Sequence, residues 1–497
     1  MGTHTAIATG LALYASLMLA VSLFWMIRVK KATDYLVAGR SLPFWILTGT
    51  ITATCIGTGV VIGAPGLAYR HGWAGSAYPI GLGLGTVLAG LLFAATRRYN
   101  FMTLGEEISC YYGRNRIVVE FSNISLYLSQ LCWLTVQIMG SGGVLGAATR
   151  LRPELCIVLA GLITASISIP GGLKTVVYTD FLNAGILICG FGALTYAALD
   201  HAGGLTGLRQ SVPVSYFSFL GVASYGGWTA ASLIVALSLS VIADPGRRLT
   251  MYSARSEAAA KWSMVMAGII VMVFSAVIGI AGMYTFCLNP RLSSPDQALP
   301  WLVMNILPPW LAAFMVVSMT AAIFSCANAN AAAAGTFFVR HIYPLATGRY
   351  PERPILVTRT SLVCAFVAST ALALHAGTIV GFVIKFLPVT MSGLAVIVLM
   401  GHFWRRATWQ GALAALAVTP AASLLSGLVP TESKFWSNPA IFSAVAGTLA
   451  LMAASALTPR NESRFEEIAD SLMLERQAIE GDLPARRTRN RQEIPMA

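Results

Sequence analysis

Thirteen apolar runs dominate this chain, at residues 5–27, 43–68, 74–96, 119–147, 153–170, 176–199, 222–245, 262–286, 307–338, 357–376, 379–401, 409–429 and 438–457. Each approaches the ~20 residues that carry an α-helix across a ~30 Å hydrocarbon layer. Hydrocarbon offers the backbone no hydrogen-bond partner, so a crossing segment must be a helix or belong to a closed barrel. These runs are continuously apolar rather than alternating, which selects helices. The expected fold is an all-α polytopic membrane protein with about 13 transmembrane helices. Charged residues make up only 11% of the sequence, against roughly 25% in a soluble domain.

The positive charges give that array a direction. If the N-terminus lies outside, the cytoplasmic segments hold 26 of the 33 Lys and Arg residues, as the positive-inside rule requires. The opening residues MGTHT carry no basic residue, whereas Arg28, Lys30 and Lys31 follow the first run, so that run reads as an anchor rather than a cleaved leader. The expectation is a multi-pass protein of the plasma (inner) membrane with a cytoplasmic C-terminus. The net charge of +13 then calls for no nucleic acid; its partner is the anionic headgroup layer of the cytoplasmic leaflet. Arg340 and His341 read as anchors to those headgroups. No GxxxxGK[ST] phosphate loop and no catalytic constellation occurs, which disfavours an ATP-driven pump and points away from an enzyme.

The second run is interrupted. Residues 44–73 read FWILTGTITATCIGTGVVIGAPGLAYRHGW, with Gly57, Gly59, Gly63, Pro65 and Gly66 at its middle. Irregular backbone at that depth is tolerated only against protein or a water-lined cavity, where freed carbonyls and amides can meet ions and solutes. Five spans later, residues 222–245 run the opposite way, carry Gly226, Gly227, Thr229, Ser232, Ser238 and Ser240, and end at Asp244-Pro245. Two interrupted helices at matching places point to a 5+5 inverted repeat, spans 2–6 and 7–11, around a midplane site. This divides the chain into an N-terminal helix and loop (1–42), a transport core (43–402), two further helices (403–458) and a charged tail (459–497). The tail reads as a cytoplasmic extension with a short amphipathic helix in its middle. The cysteines fall mostly inside spans, with no CxxC pair, and read as small packing residues.

Five segments in order resemble the sodium:solute symporter family. They are ATDYLVAGRSLPFW (32–45), IGAPGLAY (62–69), PGGLKTVVYTDFLN (170–183), AAIFSCANANAAAAGTFFVRHIYP (321–344) and GHFWRRATWQGALAAL (401–416). The resemblance implies a LeuT-like core, alternating access and uptake of a small organic solute with Na+ as the coupling ion; the alternatives are a proton-coupled or uncoupled carrier of the same fold, or a non-transporting solute sensor. It also implies an ion site of the Ala53 and Ile56 carbonyls with Ala322, Ser325 and Cys326. The latter three share one helical face by their i, i+3, i+4 spacing. A thiol is a soft substitute where hydroxyls are usual. Asp180 would lie on the ion's release path; otherwise it is an interfacial acid paired with a base such as Lys174, or an acid at a helix N-terminus facing the dipole.

For the solute, the expected cavity residues are Thr58, Gly59, Gln137, Trp228, Thr229, Ser232, Ser238 and Lys385. Lys385 has three readings: snorkelling to the interface, pairing with a solute carboxylate, or tuning a cation site. Gln137 also reads as interhelical glue and Trp228 as an interface anchor. The absence of a dense Gln/Asn/Glu cage argues for a carboxylate or amino acid over a sugar.

Overall fold

The computed structural model describes residues 3–149, 151–376, 379–426, 438–459 and 465–480. Helices follow the apolar runs: α1 (Thr3–Arg28), α2 (Phe44–Cys55), α3 (Ala64–His71), α4 (Ala77–Phe93), the amphipathic α5 (Leu104–Tyr111), α6 (Arg116–Thr149), α7 (Pro153–Ser168) and α8 (Gly172–Ala202). There follow α9 (Gly227–Ile242), α10 (Pro245–Tyr252), α11 (Glu257–Leu288), α12 (Pro309–Phe337), α13 (Pro354–His375), α14 (Ile379–Phe403), α15 (Trp409–Leu425), α16 (Pro439–Leu457) and α17 (Phe465–Glu480). Each of the thirteen expected spans coincides with a helix or a helix pair. Among the described residues, eight helical stretches are long and apolar enough to cross a bilayer alone, or nine counting the bent α9–α10 pair. Four more are apolar but shorter. The outer surface is itself apolar: Tyr196, Val273, Trp310 and Leu424 are each at least 70% exposed, as side chains facing lipid must be.

The inverted repeat is visible in the packing. The broken helix α2–α3 opens one half, and α9–α10 opens the other. The first four helices of one half each touch their counterpart: α2 meets α10, α4 meets α11, α6 meets α12, and α7 meets α13. At the α4–α11 crossing, a Cβ built on Gly83 would sit 2.6 Å from the Gly268 carbonyl, and one on Gly268 would sit 2.5 Å from the Gly83 carbonyl. The two backbones come together there, flanked by the Met272 and Val87 side chains, the close approach that small residues permit in membranes. Helix α12 is the hub. It packs on α1, α2, α6 and α8, and it is buried along nearly its whole length.

Candidate ion and solute site

Both broken helices open beside α12, and their loose ends are individually satisfied. At the first break, Ile56 leaves the helix (φ −99°, ψ 68°), and the chain resumes through a π-helical turn, Gly59–Gly63. The Thr58 amide and hydroxyl both donate to Gln137 Oε1, at 3.1 and 2.8 Å. Gln137 on α6 thus caps the second half-helix, supplying the acceptor that the lost turn would have given. The Cys326 thiol of α12 donates to the Thr54 carbonyl at 2.9 Å and lies 3.8 Å from that of Ala53. The glycines are dictated by these neighbours: a Cβ on Gly57 would meet Cys326 Sγ at 2.5 Å, and one on Gly59 the Tyr78 hydroxyl at 2.2 Å.

At the second break, α9 and α10 meet at a 49° bend. Asp244 is the N-cap and Pro245 the first helical residue, the pairing that starts a helix most readily. Asp244 Oδ1 accepts from the amides of Gly246 (2.8 Å) and Arg247 (3.3 Å), and Oδ2 pairs with Arg247 Nη1. The Arg247 side chain is 10% exposed and faces the Cys55 and Cys326 thiols. A cavity lies between the breaks, with Gly57, Gly59, Tyr78, Trp133, Gln137, Asp244, Arg247, Cys326 and Asn330 in its wall.

Behind the first break, α8 and α12 bring Asp180 and Ser325 together. Both are fully buried, and the Ser325 hydroxyl lies beside the Asp180 carboxylate. Neither Asp180 oxygen has a hydrogen-bond partner, and neither does Ser325 Oγ. A buried carboxylate without a counter-charge is costly, so a cation or a proton at this position would be stabilising. The interfacial alternative is removed, because Lys174 pairs with Asp34 at 2.7 Å instead. Nearby, the Tyr14 hydroxyl of α1 donates to Asn183 Oδ1 at 3.0 Å.

The sequence profile of the sodium:solute symporter family matches residues 35–419. The chain belongs to that family. The sodium/pantothenate symporter of Escherichia coli (strain K12) is 26% identical over 82% of this chain and 87% of its own length. The sodium/glucose cotransporter of Vibrio parahaemolyticus is 24% identical over 85% of each chain. The solved structure of a Na+-coupled sialic acid symporter in a substrate-bound outward-open state superposes with a TM-score of 0.80, at 17% identity, covering 93% of this chain and 98% of that one. A nucleobase-cation-symport-1 family transporter in a closed conformation superposes with a TM-score of 0.56, covering 89% of this chain and 99% of that one.

Within this symporter-family fold the expected residues divide into three groups. Gly59, Gln137 and Cys326 line the cavity, and Thr58 lies directly behind it on Gln137. Ala53, Ile56, Ala322 and Ser325 sit buried around the first break and on α12, but the Ala53 carbonyl also accepts from the Ile56 amide at 3.2 Å. Trp228, Thr229, Ser232 and Ser238 are not in the cavity wall. Trp228 is 69% exposed on the outer surface. Ser232 bonds back to the Thr229 carbonyl and Ser238 to that of Ile234, the local back-bonding that occupies hydroxyls in apolar helices, and Ser238 also bonds across to the Gly81 carbonyl of α4. Lys385 falls within α14, and its side chain lies outside the described residues. The residues that sequence reasoning missed are Asp244 and Arg247, because the apolar run ends at Asp244 and the arginines were read as a cytoplasmic loop.

Arg340 and His341 also depart from expectation. Both are bonded within the protein. His341 packs between Thr103 (2.6 Å) and Asn123 (3.0 Å). Arg340, 3% exposed, pairs with Glu106 of α5 at 2.5 Å and with Glu475 of α17 at 3.1 Å. The tail helix α17 is docked rather than free: Arg476 donates to Glu106 at 2.6 Å and to the Tyr99 carbonyl at 2.8 Å, and Phe465 packs on Tyr99, Phe101 and Tyr111. Beside this cluster, Glu107 holds Arg248 at 3.1 Å and accepts from Tyr111 and Tyr252.

Proposed function

We propose that this chain is a sodium-coupled symporter of a small organic solute, a carboxylate or amino acid, working by alternating access. The observation that carries the reading is the pair of orphaned, buried oxygen groups, Asp180 and Ser325, beside the break of α2. Carboxylate, hydroxyl and helix-break carbonyl oxygens are hard donors that suit a small monovalent cation. Asp180, Ser325 and the carbonyls of Ala53, Ile56 and Ala322 would hold Na+. Cys326 would serve as a strap on the Thr54 carbonyl rather than as a ligand. An ion bound there would join α2, α8 and α12 and favour the state in which all three are close; only such a difference in affinity between states can shift the equilibrium. The solute would then bind in the adjoining cavity, with residues 43–402 acting as the transport core. The N-terminus is assigned outside and the C-terminal helix to the cytoplasmic, basic end.

The test is solute uptake into proteoliposomes with external sodium replaced by choline. Loss of uptake in choline, and a rise of at least tenfold in the sodium KM for Asp180→Asn, are the expected results. A second reading is favoured by the same observation, since a carboxylate with no base beside it can also hold a proton. Uptake that persists in choline and follows an imposed pH gradient would establish that reading and overturn the first.

A further inference from the structure

The cavity between the two helix breaks is charged in one way only. Among the described residues of its wall, Arg247 is the one basic side chain and Asp244 the one carboxylate. Asp244 is already engaged within its own turn: Oδ1 accepts from two backbone amides and Oδ2 pairs with Arg247 Nη1. Arg247 does have capacity, because its buried Nε carries no hydrogen-bond partner. A guanidinium is a rigid fork of five donors that matches a carboxylate through parallel N–H bonds. Held at its base by the N-cap of its own helix, this fork is fixed in orientation before any solute arrives, the condition under which binding loses least entropy. The rest of the wall includes Val60, Leu82, Trp133 and Ala329, which suit a hydrocarbon body.

Resting on the symporter reading above, we propose that Arg247 is the recognition group for the solute's carboxylate, and that the solute is a small organic monoanion without an amine. The wall's single carboxylate is already paired with Arg247, so the cavity holds no unpaired anion to balance an ammonium group. The site therefore favours such an acid over a sugar, which brings no anion to the guanidinium's unused donor, and over a zwitterion, whose ammonium would meet no unpaired anion.

The test uses the purified full-length chain in detergent with 100 mM-scale sodium or choline, following thermal stabilisation across propionate, lactate, pyruvate and pantothenate. The amide or alcohol of each acid and the amino acids alanine and proline serve as controls. At least one acid should stabilise the protein in sodium, its neutral analogue should bind at least tenfold more weakly, and Arg247→Gln should remove the acid's effect. Arg247→Gln leaves Asp244 without its counter-charge, so the double variant Asp244→Asn/Arg247→Gln guards against simple misfolding and should behave the same way. Stabilisation by sodium alone should survive both variants and be lost in Ser325→Ala. Equal binding of an acid and its amide, unchanged acid binding in the double variant, or no response to any acid in a wild-type protein that still responds to sodium would each overturn the proposal. Absence of the sodium response itself would instead overturn the ion-site reading.

Discussion

Replacing Arg476 by Met keeps the aliphatic stem and deletes the guanidinium that ties the tail helix to the core. The side chain is 2% exposed and makes two bonds, to Glu106 Oε2 at 2.6 Å and to the Tyr99 carbonyl at 2.8 Å. Removing one partner of a buried pair costs about 3–5 kcal/mol when the other is left stranded. Glu106 is not stranded, because Arg340 at 2.5 Å and the Met102 amide at 2.8 Å remain. That reduces the ionic loss to about 2 kcal/mol, and the orphaned Tyr99 carbonyl adds about 1 kcal/mol. A total near ~3 kcal/mol corresponds to about a hundredfold change in an opening equilibrium. Hydrogen exchange of residues 468–476, measured by mass spectrometry on protein in nanodiscs, should therefore accelerate about a hundredfold while α12 stays protected. Glu106→Gln removes the carboxylate shared by Arg340 and Arg476, so it should release the helix further than Arg476→Met does. Exchange within threefold of wild type in Arg476→Met, or a smaller effect in Glu106→Gln, would refute the reasoning.

Four further outcomes can be checked. Asp180→Asn and Ser325→Ala should each raise the sodium KM at least tenfold in uptake assays, and the double variant should lose less than the product, because adjacent groups serving one ion do not act additively. Cys326→Ser places a hard oxygen where the thiol now straps the Thr54 carbonyl, so the sodium KM should fall severalfold; an unchanged value would mean that position 326 does not reach the ion. Gly59→Ala would drive a methyl into the Tyr78 hydroxyl and should lower thermal stability by about 1–3 kcal/mol, with partial recovery in Gly59→Ala/Tyr78→Phe. Burial alone would push the Glu106 carboxyl up, but the Arg476 and Arg340 guanidinia outweigh it and bring it down to about 2. Its contribution to tail docking is thus complete above the ordinary carboxylate range and lost only as pH falls toward 2. Protection of α17 should be flat from pH 8 to pH 5, and a midpoint near pH 6 would show that another group governs docking.

The membrane architecture was legible in the sequence because apolar run length and the run of Gly57, Gly59, Gly63, Pro65 and Gly66 are local signals. Asp180 was legible as an ionisable group inside a span, but its setting was not. Its neighbour Ser325 lies 145 positions away in the chain, and Lys174, the nearby base, is drawn off by Asp34. The second break was half read. Hydropathy stopped at Asp244, although Asp followed by Pro is a helix-starting signature that could have shown a new half-helix carrying Arg247 into the protein. Trp228, Thr229, Ser232 and Ser238 were assigned to the cavity on residue type alone; which side of an apolar helix faces inward depends on its neighbours, and periodicity is weak where every side is apolar. The buried charges at the basic end drew on α5, α12 and α17 together, and no stretch of sequence contains that combination. The tail looked detached for the same reason.

For a carrier that works by the alternating access proposed above, the contact between Gly83 and Gly268 would bear on how the two halves rock. Most helix crossings interlock, so that sliding one rod past another forces side chains out of their wells. Here backbone rests on backbone at the two glycines, with Met272 and Val87 packed alongside, so a rocking motion about this point has few side chains to displace. The crossing is suited to be a fulcrum, and a bulky residue placed at either position would act as a wedge that holds the molecule at one end of its stroke.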